Sequence, residues 1–346
     1  MIRFECDYTE GAHPRIIEAL ARTNMEQTKG YGEDEHCAHA RELIREKCGS
    51  PDADVHFLVG GTQANMTVIA AVLRPHQGVI SADSGHINVH ETGAVESTGH
   101  KVLALPSEDG KITAQQIQNL CEEHLHDDSF EHIVQPGMVY ISNPTENGTL
   151  YNKKELSAIS EVCRKYGLPL FLDGARLGYG LMAEGNDITM QDLAQYCDVF
   201  YIGGTKVGAL FGEAVVITNS ALKKDFRYYI KQKGGMLAKG RLLGIQFEEL
   251  FRDDLYMEVS AHADRLAMKI RKAFEEKNIP FAYESVTNQQ FPILTYEMAM
   301  TLAKKYSFSM NEAELKKGPA KVRFCTSWAT KEENVDELIA DIQKLS

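Results

Sequence analysis

The sequence predicts an α/β protein: a mainly parallel seven-stranded sheet between helices, followed by a smaller α+β unit. Three observations predict it. Seven short apolar runs recur between residues 55 and 218, each bounded by turn residues. Amphipathic stretches of helical period separate several of them, and strand–helix–strand repeats of this kind build parallel sheets covered on both faces. Beyond Ala221 the pattern changes to long helical stretches and scattered short strands. A chain of 346 residues is long enough for two such units.

Taken in order, strands are expected at VHFLV (55–59), GVISA (78–82), KVLAL (101–105), GMVYIS (137–142), LPLFLD (168–173), VFYIG (199–203) and EAVVIT (213–218). Helical patterns fall at 63–73, 113–124, 153–166 and 190–196. Three longer ones follow at 221–232, 240–252 and 255–276. FAYES (281–285), QFPILTY (290–296) and VRFCTSW (322–328) read as strands of the second unit, and a last helix is expected from Lys331. The large unit is expected over 15–245. The small one takes 246–346 together with 1–14, with the boundary inside a helix.

Composition narrows the function. With 43% hydrophobic and 25% charged residues the chain reads as folded and globular rather than disordered. A net charge of −12 gives no general attraction to nucleic acid or an anionic membrane. MIRFECDYTEG lacks the apolar stretch of a secretory leader, and no apolar run approaches a membrane span, so neither is expected. Seven scattered cysteines without a CxxC pair argue for reduced thiols in a cytoplasmic setting, against a disulfide framework and against a structural zinc.

In open α/β sheets ligands bind beyond the carboxyl ends of the strands. The segments there are GGTQAN (60–65), DSGHINVHETGA (83–94), SNPTENG (142–148), DGARLGYG (173–180) and GGTKVGAL (203–210). In the first, a Gly-Gly turn leads into a helix opening at Thr62 or Gln63; backbone N–H groups at such a terminus suit a phosphate. The plainer alternative is an ordinary turn with Thr62 as N-cap. The glycine spacing is neither a Walker A loop nor the dinucleotide fingerprint, which argues against a nicotinamide enzyme.

Asp173 ends an apolar strand and needs a partner once desolvated. It could pair with Arg176 three residues on, or hold a proton on a cofactor ring nitrogen. Lys206 sits among Gly203, Gly204 and Gly208. Desolvation lowers a lysine pKa and frees the neutral amine for reaction with an aldehyde; the small neighbours are expected to leave room for a large flat partner. A loop lysine reaching solvent is the bland alternative.

The ordered set of YGED (31–34), GGTQAN, DSGHINVHETGA, NGTLY (147–151), DGARLGYG, GGTKVGAL and VRFCTSW resembles the β-eliminating lyase and threonine aldolase family of fold-type-I pyridoxal-phosphate enzymes. The likeness runs from near the N-terminus to residue 328. It implies a pyridoxal 5′-phosphate cofactor carried on Lys206, with Asp173 on the pyridine nitrogen and His86 stacked on the ring. Gly61 and Thr62 fall at the phosphate, and Thr205 among the cofactor-binding residues. Arg176 and Arg323 match arginines near cofactor and substrate carboxylate. Tyr31 matches a tyrosine that can come from a neighbouring subunit. Lys239 and Arg241 are both candidates for a base that reaches a neighbour's phosphate, and His90 could compete with His86.

The implied reaction is retro-aldol cleavage of a β-hydroxy amino acid to glycine and an aldehyde. The implied partners are a small amino-acid substrate and further copies of the chain, as a dimer or tetramer with shared sites. Two departures stand out. Cys6-Asp7 replaces the family's Ser-Asp, and Glu146 replaces a histidine associated with the β-hydroxyl. Glu146 is therefore a candidate base or hydrogen-bond acceptor, or the mark of a different substrate, and direct proton removal by His86 or relay through a water are the other routes. β-Elimination, transamination and a non-catalytic scaffold are the rival readings.

Overall fold

The computed structural model describes Met1–Leu345; Ser346, the end of the expected small unit, lies outside the described residues. Seven strands form the central sheet: β1 (Asp54–Leu58), β2 (Gln77–Ala82), β3 (Lys101–Leu105), β4 (Gln135–Ser142), β5 (Leu170–Asp173), β6 (Val199–Gly203) and β7 (Glu213–Ile217). Each expected strand of this sheet is present, with ends shifted by two residues at most. The spatial order is β3-β2-β4-β5-β6-β7-β1. β7 runs antiparallel to both β6 and β1, and the other pairings are parallel. The reversal has a consequence for the site. Glu213, the first residue of β7, pairs with Gly203 and Leu58, the last residues of its neighbours.

Alternation along the strands splits their side chains between two cores. Leu170, Leu172, Phe200, Ile202, Ala214 and Val216 enter one. Phe171, Val199, Tyr201, Val215 and Ile217 enter the other. Strands buried on both faces read as continuous apolar runs, which is why they stand out in the sequence. A third core joins Phe4 to Leu266, Ile270, Phe274, Phe324 and Leu338. The terminal strand Ile2–Arg3 pairs in parallel with Tyr306–Ser307.

The helices begin where side chains can satisfy the first N–H groups. Thr113, Asn152 and Thr189 each close a capping box, with Gln116, Glu155 and Asp192 respectively. Two helices beyond the expected set, Pro14–Arg22 and Glu35–Cys48, lie near the N-terminus. The second buries only Cys37, Ala40, Ile44 and Cys48, too thin an apolar stripe for a strong periodic signal.

The second unit departs most from expectation. The strand expected at 281–285 is a single bridge between Phe281 and Pro292. The run at 290–296 breaks at Pro292, which has no N–H for a ladder. It leaves Gln289–Gln290 and Ile293–Leu294 as two-residue strands. Thr295 then caps a helix over Tyr296–Ala303. Both short strands pair with Ala320–Cys325. The helix expected at 221–232 forms only over Phe226–Gln232, after Asp225 turns the chain with φ of 63°. Among the described residues no helix is long and apolar enough to cross a membrane.

Candidate active site

A cavity of about 290 Å³ opens at the carboxyl edge of the sheet, where β1, β4, β5 and β6 end and β7 begins. Its wall includes Gly61, Thr62, His86, Glu146, Asp173, Arg176, Thr205 and Lys206. Eight of the residues singled out in the sequence are thus brought together, from five separate loops.

Asp173 is buried at the end of β5. Its Oδ2 accepts from the Tyr140 hydroxyl at 2.6 Å and from Asn65 Nδ2 at 3.1 Å, and its Oδ1 accepts from the Ala175 N–H at 2.9 Å. Burial alone would raise its pKa, but the phenols of Tyr140 and Tyr201 and the charge of His86 outweigh it and hold the group below the usual aspartate range. It stays ionised at neutral pH.

The pairing of Asp173 with Arg176 is not what forms. Arg176 instead makes a two-pronged pair with Asp7, Nε to Oδ2 at 2.6 Å and Nη2 to Oδ1 at 3.0 Å. The strand geometry aims Asp173 into the cavity, while the N-terminal segment brings Asp7 up to the guanidinium from outside. Asn288 Nδ2 also donates to Asp7, at 2.9 Å.

Lys206 has a lowered pKa, first because of desolvation in the cavity wall and then because of Arg176, with Asp7, Asp173 and Glu213 pulling the other way. Its carbonyl accepts from the Tyr179 hydroxyl at 2.5 Å, which anchors the loop. The surrounding glycines serve a different purpose from the one expected. A Cβ on Gly203 would fall 2.3 Å from the Ala175 carbonyl oxygen, and one on Gly204 2.8 Å from that of Gly212. They permit close backbone packing under the lysine rather than opening space above it.

His86 begins a short turn of helix, with Nδ1 2.8 Å from Glu91 Oε1. Burial lowers its pKa, but the bond to Glu91 and the charge of Asp173 more than compensate and raise it. Glu91 also accepts from Asn65, at 2.8 Å. His90 is exposed and absent from the cavity wall, with its ring 5.6 Å from that of His86. Glu146 Oε1 accepts from the His86 N–H at 2.9 Å and from the Ser142 hydroxyl at 2.8 Å. Its Oε2 is buried without a partner. Burial, then the nearby Asp173, raise the Glu146 pKa.

The helix of the Gly-Gly turn starts at Gly61, earlier than expected, with Gly60 at its N-cap and no side-chain cap. Its first N–H groups are left for a ligand. A Cβ on Gly60 would meet nothing within 4 Å, so the approach is open. Thr62 lines this end, and Thr205 accepts from the Gly212 N–H at 3.0 Å. An uncapped helix terminus, an ionised buried aspartate, an imidazole and a lysine of lowered pKa form a donor set that fits a phosphorylated pyridine aldehyde.

Two predicted residues stand apart. Arg323 donates to the Glu5 carbonyl at 2.9 Å, Ser309 Oγ at 3.1 Å and Gln289 Oε1 at 3.2 Å. Its charge acts on the Tyr8 phenol, which lines the cavity, and on His90. Tyr31, with φ of 61°, lies in a separate crevice beside Arg41 and Arg227, and does not reach the cavity within this chain. Arg241 is bonded to the carbonyls of Thr23 and Asn24, and neither it nor Lys239 lines the cavity. Sequence reading passed over Asp7 as partner of Arg176, and Asn65, Glu91, Tyr140 and Glu213. Their signal is a polar residue inside or at the end of an apolar run, which becomes informative only when several such runs converge.

The sheet order, the strand-edge cavity and its lysine–aspartate pair define a fold-type-I pyridoxal-phosphate enzyme architecture. The family model of the beta-eliminating lyases matches residues 4–306, and the chain belongs to that family. It is 30% identical to a low specificity L-threonine aldolase of Pseudomonas aeruginosa, over 99% of this chain and 97% of that one. A threonine aldolase structure from Leishmania major superposes with a TM-score of 0.96 at 46% identity, covering 99% of both chains. Cystalysin of Treponema denticola, a structure containing pyridoxal 5′-phosphate, shares the fold at 16% identity with a TM-score of 0.73, covering 99% of this chain and 90% of that one.

Proposed function

We propose that this cavity binds pyridoxal 5′-phosphate on Lys206 and cleaves β-hydroxy amino acids between Cα and Cβ, releasing glycine and an aldehyde. The observation that carries the reading is the placement of Lys206, Asp173 and Glu146 on one cavity wall. Near full-length similarity to low specificity L-threonine aldolases supports the substrate class. When bound, the cofactor supplies an electron-withdrawing ring that takes up the electron pair of the broken bond.

The protein's own groups do the rest. The N–H groups at Gly61 and Thr62 hold the phosphate, and Thr205 lines the same wall with its hydroxyl committed to Glu213. Asp173, ionised and fixed by three hydrogen bonds, keeps a proton on the ring nitrogen. His86, oriented by Glu91, covers the ring. Arg176 is locked in direction by Asp7 and offers its remaining guanidinium N–H groups to a carboxylate, an arrangement suited to amino-acid recognition. Glu146 Oε2 is an unpartnered acceptor in the wall, and takes the β-hydroxyl proton as the aldehyde departs.

The test is direct. Protein loaded with pyridoxal phosphate should turn yellow, borohydride should fix the label to Lys206, and L-threonine should yield glycine and acetaldehyde. Lys206→Ala should lose the colour and the label. A labelled Lys206 with no aldehyde from any β-hydroxy amino acid would refute cleavage and leave the cofactor standing.

A further inference from the structure

The cavity wall holds a carboxyl group that none of these roles uses. Glu213 is 4% exposed, at the start of β7. The reversed direction of β7 sets it at the edge where the other strands end, between Gly203 and Leu58. Its Oε1 accepts from the Thr205 hydroxyl at 3.0 Å, and its Oε2 is buried without a partner. The charged and titratable groups facing it are Lys206 and Asp173, with the phenols of Tyr201 and Tyr256 from the adjoining strand and helix. Lys206 is the cation of that group.

Burial pushes the Glu213 carboxyl up to about 8, with Lys206 drawing it back down. Burial pushes the Lys206 ammonium in the opposite direction. The two shifts run toward each other on one buried wall. Once Lys206 is bonded to an aldehyde it no longer carries a full ammonium charge for Glu213 to face. An ionised Glu213 would then be a buried carboxylate near Asp173 without a facing cation, a costly arrangement that a bound proton removes.

We propose that Glu213 is the proton acceptor for Lys206, taking the ammonium proton as the amine attacks the cofactor aldehyde and returning it when the lysine is released. The inference rests on the cofactor reading above. The step balances: the lysine nitrogen forms its double bond to the aldehyde carbon, the aldehyde oxygen leaves as water with two of the ammonium protons, and the third passes to the Glu213 carboxylate.

Capture of pyridoxal phosphate by unloaded protein, followed by stopped-flow absorbance from about pH 6 to about pH 9, tests it in wild type, Glu213→Gln and Glu213→Asp. Glu213→Gln should slow capture about a hundredfold at about pH 9, where the wild-type carboxyl is ionised, and flatten the rise of the rate with pH, and Glu213→Asp should restore part of both. Infrared difference spectra at about pH 9 should show a protonated-carboxyl band appearing when wild type is loaded, and none in Glu213→Gln. Wild-type rate and profile in the glutamine variant would overturn the inference. So would the lack of a new band in wild type, a measurement that holds even where the variants do not fold. Borohydride labelling of wild-type Lys206 separates the two ideas: without it the cofactor reading itself fails, and with it only the role of Glu213 is at stake.

Discussion

Glu146 shows how much one side chain's surroundings decide. Its Oε1 is saturated by the His86 N–H and the Ser142 hydroxyl, so the chemistry is left to Oε2. Glutamine keeps the shape and one acceptor but cannot take a proton. Glu146→Gln should retain the bound-cofactor spectrum and lose about 10²–10⁴ in kcat on L-threonine, the usual range for a general base. Because burial and Asp173 raise the Glu146 pKa, the acid limb of the wild-type kcat/KM profile should lie above the ordinary glutamate value of 4.5, and the variant should lack that limb. An unchanged kcat would return the proton transfer to His86 or water.

Among elements, the N-terminal segment and the loop after β5 are joined by the pair of Asp7 and Arg176. Burial would raise the Asp7 pKa, but Arg176, then Lys206, lower it to about 2. The folded value lies below the ordinary 3.8, so this stabilisation is fully present above about pH 4 and is lost as pH falls toward 2. Asp7→Ala leaves a guanidinium buried without its counter-ion and should cost about 3–5 kcal/mol in urea unfolding. Between pH 4 and pH 2 the gap between variant and wild type should narrow. A loss below about 1 kcal/mol would mean that water replaces the carboxylate at no penalty.

At the scale of the whole molecule, Asp264 is set against the fold around it. It lies in the long helix Leu255–Glu276, 5% exposed, with neither carboxyl oxygen hydrogen-bonded. Burial raises its pKa to about 9. The folded state therefore holds a proton that the unfolded chain releases near 3.8. Stability from this group is greatest at low pH and declines as pH rises toward about 9. Asp264→Asn removes the linkage, so its Tm should gain on wild type steadily from pH 5 to pH 8.5; parallel curves would show that the carboxylate finds a partner. The sequence by itself determined the sheet, its helices and most of the cavity residues, because a strand buried on both faces must be continuously apolar and whatever follows it must be polar. It also carried the lysine and aspartate in their order. It was weaker in the second unit, where two-residue strands around Pro292 leave no periodic signal. Only the tertiary structure decided that Arg176 pairs with Asp7 rather than Asp173, and that Tyr31 lies outside this chain's cavity. It alone brought Glu213 to face Lys206. These are contacts between residues distant in sequence or across antiparallel strands, and a linear pattern carries no distance between two polar groups until the chain packs them into one dry space.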